Sequence, residues 1–197
     1  MVKSYYDRVA SLHAEKALGD HEIIHNFPHI NIWLKTIPLP QVAFFSWMAY
    51  LNKIQTVDKL LLKGVAANDE CVFCHAVGEN ASHLLVLCSV IRDIWNFFSW
   101  FDVNWVPPVD VKEALTKQLI TGPLSRKGQW IVDHLPRAIM WVVWNECNKR
   151  IFDLKAKRVH AIINEIKETL FDWARGNGAF LGITFGDFIC NWSSVIS

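Results

Sequence analysis

The sequence predicts a mainly α-helical fold in which an N-terminal helical lobe, stapled by a metal site, packs on a C-terminal helical hairpin. Three observations carry that expectation. Apolar residues recur at helical spacing along most of the chain. Three of the five cysteines fall between Cys71 and Cys88, with a histidine among them. Val159, Ile163, Ile166, Leu170 and Trp173 repeat at intervals of 4, 3, 4 and 3, which is a heptad seam. The 197 residues are 52% hydrophobic, with ten Trp and twelve Phe, so the chain can bury a sizeable core. Its formal net charge of +1 gives no whole-chain push toward nucleic acid or anionic membranes. No apolar run reaches the length of about 18 residues that a membrane-spanning helix needs, so no membrane partner is expected.

Residues 1–30 read as a polar N-terminal segment holding His13, His21, His25 and His29, with a short helix over Ser4–Ala17 and breaks at Gly19 and Pro28. Its start lacks the apolar centre of a secretory signal. Five cysteines, an odd number, fit reduced thiols or a metal better than a disulfide framework, which places the protein inside the cell, nuclear or cytoplasmic. Residues 31–103 read as the stapled lobe. Pro38 and Pro40 sit where a helix can begin, since proline's missing N–H matters least in the first turn. Val42, Phe44, Phe45, Trp47, Met48 and Leu51 then make a helix apolar on almost every side, a pattern of burial. Thr56 is placed to cap a second helix, Val57 to Lys63, and Gly64 to end it in the left-handed conformation. Val90, Ile94, Phe97, Phe98 and Phe101 have helical spacing over residues 89–101.

Residues 104–128 read as a linker, stiffened by Pro107 and Pro108 and ending in a loop over 121–128. Residues 129–175 form the hairpin. Pro136 sets the expected start of its first helix near Leu135, and that helix runs to about Phe152. The second spans about Ala156 to Arg175, and the short connection makes the pair antiparallel. Residues 176–197 are a glycine-rich tail, expected as loop or short strand. Neither an internal repeat nor a low-complexity tract is present.

The cysteine cluster has the spacing Cys-x2-Cys-x8-His-x4-Cys, formed by Cys71, Cys74, His83 and Cys88. Two cysteines separated by two residues reach one ion from a single tight turn, and His83 and Cys88 return from the next segment to complete a tetrahedron. Thiolate sulfur and imidazole nitrogen select zinc, because calcium and magnesium require oxygen donors. With all four positions supplied by protein, one zinc ion here is structural rather than catalytic. The lobe is therefore read as zinc-stapled. His75 directly follows Cys74 and is expected to point away from the ion. Cys147 and Cys190 lie among apolar residues and are read as buried thiols.

With these residues in view, the chain resembles the zinc-binding domain that follows the polymerase in plant non-LTR (LINE-type) retrotransposon reverse transcriptases. Trp33, Pro38, Phe44, Trp47, Thr56, Leu60 and Gly64 fill the places of that family's Trp, Pro-rich turn, Phe-x-x-Trp, Thr, Leu-rich helix and Gly. The zinc pattern brings a Glu shortly before the histidine, Glu79, and a Trp after the last cysteine, Trp95. Farther on, Trp141, Trp144, Glu146, Asn148, Arg150 and Phe152 match or nearly match a Trp-x-x-Trp-x-Glu-x-Asn-x-Arg-x-Phe stretch. The resemblance covers about residues 30–175. It implies a zinc module whose ancestral task is helping to engage element RNA or target DNA. The chain contains no Asp-Asp pair of the polymerase metal site, so it reads as a detached or domesticated fragment.

Two further patterns carry chemistry. His21-Glu22-x-x-His25 matches the zinc-peptidase motif, in which two histidines one turn apart bind the ion and Glu22 is the base. Pro28 and the polar surroundings favour ordinary surface histidines, and a zinc peptidase is kept as the remote alternative. Residues 126–175 hold ten Lys/Arg against six Asp/Glu. Lys149, Arg150, Lys155, Lys157 and Arg158 cluster at the expected hairpin turn, where weak contact with RNA or DNA phosphates is the functional reading and a solvated tip the plain one. Asp133-His134, just before Pro136, reads as a surface feature at a helix end. Neither a phosphate-cradling glycine loop nor a nucleophile-elbow serine motif occurs. The leading function is thus a non-catalytic zinc module with weak nucleic-acid binding. The main alternative is a protein-interaction adaptor that uses the apolar hairpin.

Overall fold

A computed structural model of the chain describes residues 39–64, 68–76, 78–99, 106–116, 124–191 and 195. The expectations for the N-terminal segment, including the helix over Ser4–Ala17, His21, Glu22 and His25, and those for Trp33, Pro38 and Phe101, lie outside the described residues.

The described residues are helical, with no strand among them. Helix α1 (Pro40–Tyr50) carries proline in its first turn, as expected, and buries Val42, Phe45, Ser46 and Ala49. Phe44, Trp47 and Met48 are only half-buried, so one side of this all-round apolar helix stays near solvent. Helix α2 (Val57–Leu62) ends at Gly64, whose φ of +68° is the left-handed conformation expected of it. Thr56 occupies the cap position without a side-chain hydrogen bond to the backbone. A π-helical turn (His83–Leu87) runs into helix α3 (Ser89–Ser99). Residues 111–116, inside the expected linker, form helix α4 (Val111–Thr116) and bury Val111, Ala114 and Leu115.

Helix α5 (Arg126–Phe152) is the spine, with α1, α3, α4 and the π turn packed along it. It begins nine residues before the expected Leu135 and runs through Pro136. Ser125 explains the earlier start, because its side chain accepts from the Gly128 N–H at 3.0 Å and caps the first turn. Just beyond the proline, the Arg137 guanidinium donates to the Asp133 carbonyl at 2.6 Å. His134 is therefore not at a helix end. It is 2% exposed, its Nδ1 lies 2.6 Å from the Trp130 carbonyl, and it stacks on Trp130.

Helix α6 (Val159–Ala174) returns antiparallel to α5 and makes the most extensive helix pairing among the described residues. Of its expected seam, Ile166 and Leu170 are fully buried and Ile163 and Trp173 nearly so, whereas Val159 is only half-buried and Ile162, outside the expected seam, is fully buried. The tail is helical rather than strand-like. A 3-10 turn (Gly178–Phe180) precedes helix α7 (Phe185–Cys190), which Thr184 and Asp187 start with reciprocal side-chain-to-backbone hydrogen bonds. Phe188 plugs α7 into the core against Phe171, 5.2 Å between ring centroids. The Lys167 ammonium ties α6 to the end of α7 through the Ile189 carbonyl at 3.1 Å. Cys190 is exposed, because it falls on the outer side of this short helix. One buried cluster runs from Val42 through Leu84, Ile94 and Ile139 to Phe188, so both parts of the chain share a single core.

Candidate metal centre

The metal centre is built by two short segments. In the first, residues 69–79 fold back on themselves. The Cys71 N–H donates to the Ala76 carbonyl at 2.8 Å, and the His75 N–H to the Cys71 carbonyl at 2.8 Å. The Gly78 and Glu79 N–H groups both donate to the Asp69 carbonyl at 3.1 Å. This turn points the Cys71 and Cys74 sulfurs the same way, while His75 (φ +59°) is turned out and exposed, as expected.

The second segment explains how His83 and Cys88 meet. In an α-helix, residues five apart point about 140° away from each other, since each residue turns about 100°. Here the Cys88 N–H donates to the His83 carbonyl at 2.7 Å, the i→i+5 bond of a π turn. That wider winding brings residues 83 and 88 back to one face. Asn80 starts the turn by accepting from the His83 N–H at 3.0 Å, and the Trp95 indole N–H holds it against α3 by donating to the Leu85 carbonyl at 2.9 Å. Cys88 then opens α3, its carbonyl accepting from the Arg92 N–H at 2.8 Å.

The outcome is one donor atom each from Cys71, Cys74, His83 and Cys88, all within 4.8 Å of one another. The Cys71 and Cys88 sulfurs are 3.9 Å apart, and Cys74 Sγ is 3.3 Å from His83 Nε2. A tetrahedral zinc with bonds of about 2.3 Å to sulfur and about 2.0 Å to nitrogen requires edges of about 3.5–3.8 Å between its ligands. The spacing and the donor chemistry fit one zinc ion. Contact with Cys71 holds the Cys88 thiol below its ordinary range. The same contact, reinforced by burial, pushes the Cys71 thiol up. Cys147, 1% exposed, lies outside the donor set, and burial pushes its thiol up.

Two supports were not read from the sequence. Glu79, fully buried, caps α2 by accepting from the Val57 N–H at 3.2 Å, a contact across 22 residues. It does what Thr56 was expected to do, and burial pushes its carboxyl above the usual range. Arg150 joins the hairpin to the cysteine turn. Its guanidinium lies 4.2 Å from the centre of the Phe73 ring and donates to the Val72 carbonyl at 3.2 Å, the Lys157 carbonyl at 2.8 Å and Glu146 at 2.9 Å. Glu146, 1% exposed, also accepts from the Lys157 N–H at 2.7 Å. The i, i+4 spacing of Glu146 and Arg150 was the available signal.

The five cations at the hairpin turn therefore divide. Arg150 is half-buried in the joint to the cysteine turn. Lys149 and Lys157 both pair with Glu165, at 3.5 Å and 2.7 Å. Lys155 and Arg158 are exposed. Phe152 and Leu154 stand beside them, 65% and 89% exposed. No helix among the described residues is long and apolar enough to cross a membrane.

Residues 2–95 match the model of the family described as zinc-binding in reverse transcriptase. No curated protein and no solved structure matches the chain. The family match reaches Trp95 and stops before the hairpin, so the Trp-x-x-Trp-x-Glu stretch lies beyond it. The stretch 2–95, in which Cys71, Cys74, His83 and Cys88 are gathered, is thus similar to the zinc-binding domain of reverse transcriptases, and its four donors fit the zinc that this family's description names.

Proposed function

We propose that the protein is a non-catalytic module whose single zinc is structural and whose helical hairpin engages RNA or DNA weakly, inside the cell. The observation that carries the zinc half is the closure of the site: two cysteine-bearing turns offer four donors to one point, and no fifth donor joins them among the described residues. A site with all positions filled by protein contributes folding energy and leaves no place for substrate. Purified protein is expected to hold one zinc per chain. Cys71→Ser and Cys88→Ser lose it, whereas His75→Ala and Cys147→Ser keep it. Zinc retained by Cys88→Ser removes the ligand set. Peptidase activity lost in His21→Ala would instead favour a catalytic role for the His21-Glu22-x-x-His25 motif.

The nucleic-acid half rests on the local excess of Lys and Arg, with Lys155 and Arg158 as the exposed part of the tip. Lys149, Arg150 and Lys157 contribute less there, because each already holds a carboxylate. Binding is weak and falls steeply with salt. A second reading is favoured by exposed Phe152 and Leu154: a protein partner that takes the tip of the hairpin. Salt-dependent binding of single-stranded oligonucleotides separates the two.

A further inference from the structure

The end of α5 away from the hairpin tip carries charge of a different kind. Arg126 and Lys127 line one cleft of about 600 Å³ together with Trp130, Asn177, Gly178 and Ala179. Among the described residues, no acidic side chain lines it and neither cation is in an ion pair. The walls are fixed before any ligand arrives. Trp130 stacks on the buried His134 with ring centroids 4.0 Å apart and meets the edge of Phe180 at 5.1 Å. The Asn177 side chain accepts from the Ala179 N–H at 3.0 Å and sets the opposite turn. A Cβ placed on Gly178 would meet nothing within 4 Å, so that wall is open space a ligand can use.

Two cations beside a fixed indole, in a cleft whose described lining holds no carboxylate, match a phosphate joined to a base. Arginine holds a phosphate with two parallel hydrogen bonds, lysine as a point charge, and an aromatic face receives the adjoining base. We propose that this cleft is a phosphate site for single-stranded nucleic acid, with Arg126 and Lys127 on the backbone phosphate and Trp130 against the neighbouring base. The proposal rests on the nucleic-acid reading above but moves the main contact. The 27 residues of α5 separate the cleft from the hairpin tip by roughly 40 Å at about 1.5 Å per residue.

The test is fluorescence anisotropy of labelled ten-nucleotide oligo-dT and oligo-U with the full-length, zinc-loaded chain. For two phosphate contacts on a single strand, raising salt from about 50 to 200 mM weakens binding roughly sevenfold. Arg126→Ala with Lys127→Ala is expected to weaken binding about tenfold and to flatten that salt dependence. Gly178→Leu fills the cleft without changing charge and is expected to weaken binding by a similar factor. Lys155→Ala with Arg158→Ala changes it by less than about twofold. Unchanged affinity in both cleft variants, with the tip variant weakened, overturns the cleft and leaves the nucleic-acid reading standing. An acidic peptide that competes as well as an unlabelled strand overturns it as a nucleic-acid site. A wild-type protein that binds neither strand at about 50 mM salt overturns the nucleic-acid reading together with the cleft.

Discussion

The cysteine turn and the helical hairpin solve the same problem by opposite means. Residues 69–88 contain one π turn and a folded-back loop, and their hydrogen bonds are mostly turn closures. Ordering such a segment costs about 1–2 kcal/mol per residue, and although Leu84, Leu85 and Val86 reach the shared core, no long helix holds the loop that carries Cys71 and Cys74. The hairpin buries Ile131, Leu135, Ile139, Ile162, Ile166 and Leu170 completely along two long helices. The difference teaches where a metal is needed: at the segment whose elements are too short to hold themselves. The two regions are nonetheless not separate, because α3 packs on both hairpin helices and Arg150 reaches the Val72 carbonyl.

Removing zinc is the sharpest way to widen that contrast. In zinc-finger peptides the ion contributes about 10–16 kcal/mol, as much as a whole domain's stability. Chelator-treated protein is expected to exchange its amides fast over residues 68–88 and at an intermediate rate in α3, while the α5–α6 seam stays protected. Equal new rates throughout would show one cooperative unit, and no change anywhere would show that zinc is not structural. Leu170→Ala inverts the experiment. A cavity in the seam costs about 2–5 kcal/mol in chemical denaturation, yet zinc stoichiometry stays at one per chain. Loss of zinc from that variant would mean that the hairpin holds the cysteine turn more tightly than the metal does.

The joint between the regions is next in size. Arg150→Ala leaves Glu146 buried without its cation and the Val72 carbonyl without its donor, a loss of about 2–3 kcal/mol. Zinc is expected to exchange faster with a chromophoric chelator at unchanged stoichiometry. Pairing the change with Glu146→Gln should recover part of the stability, since it removes the stranded charge, but not the slow exchange. A full recovery of both would place the effect in Glu146 alone. The smallest effect is Thr184→Ala, which uncaps α7 at a cost of about 1 kcal/mol and leaves zinc exchange untouched.

Much of this was legible in advance because it is local. The spacing of Cys71, Cys74, His83 and Cys88 names the donors whatever surrounds them, and the period of Val159 to Trp173 names the buried face of α6. Pro136 points to a start near Leu135, whereas the Ser125 cap starts α5 nine residues earlier. A proline removes one hydrogen bond, and 27 residues of packed helix tolerate that loss. The glycines of the tail suggest loop or short strand, whereas Thr184, Asp187 and the burial of Phe188 decide for helix over Phe185–Cys190. His134 is buried for the same reason: α5 begins before it, so it lies inside the helix rather than at its end.

What the sequence by itself determined is the donor set, its preference for zinc and the helical seam, since each depends on residue type and spacing within a few turns of chain. The tertiary structure alone decided how the donors meet and what holds them. A five-residue separation puts His83 and Cys88 on one side only if the intervening turn is π-wound, and that winding is held by Trp95 from the next helix. Glu79 reaches Val57 across 22 residues, and Arg150 reaches Val72 across 78. No pattern confined to neighbouring residues encodes such pairs, because their energy depends on burial that exists only once the chain has closed on itself.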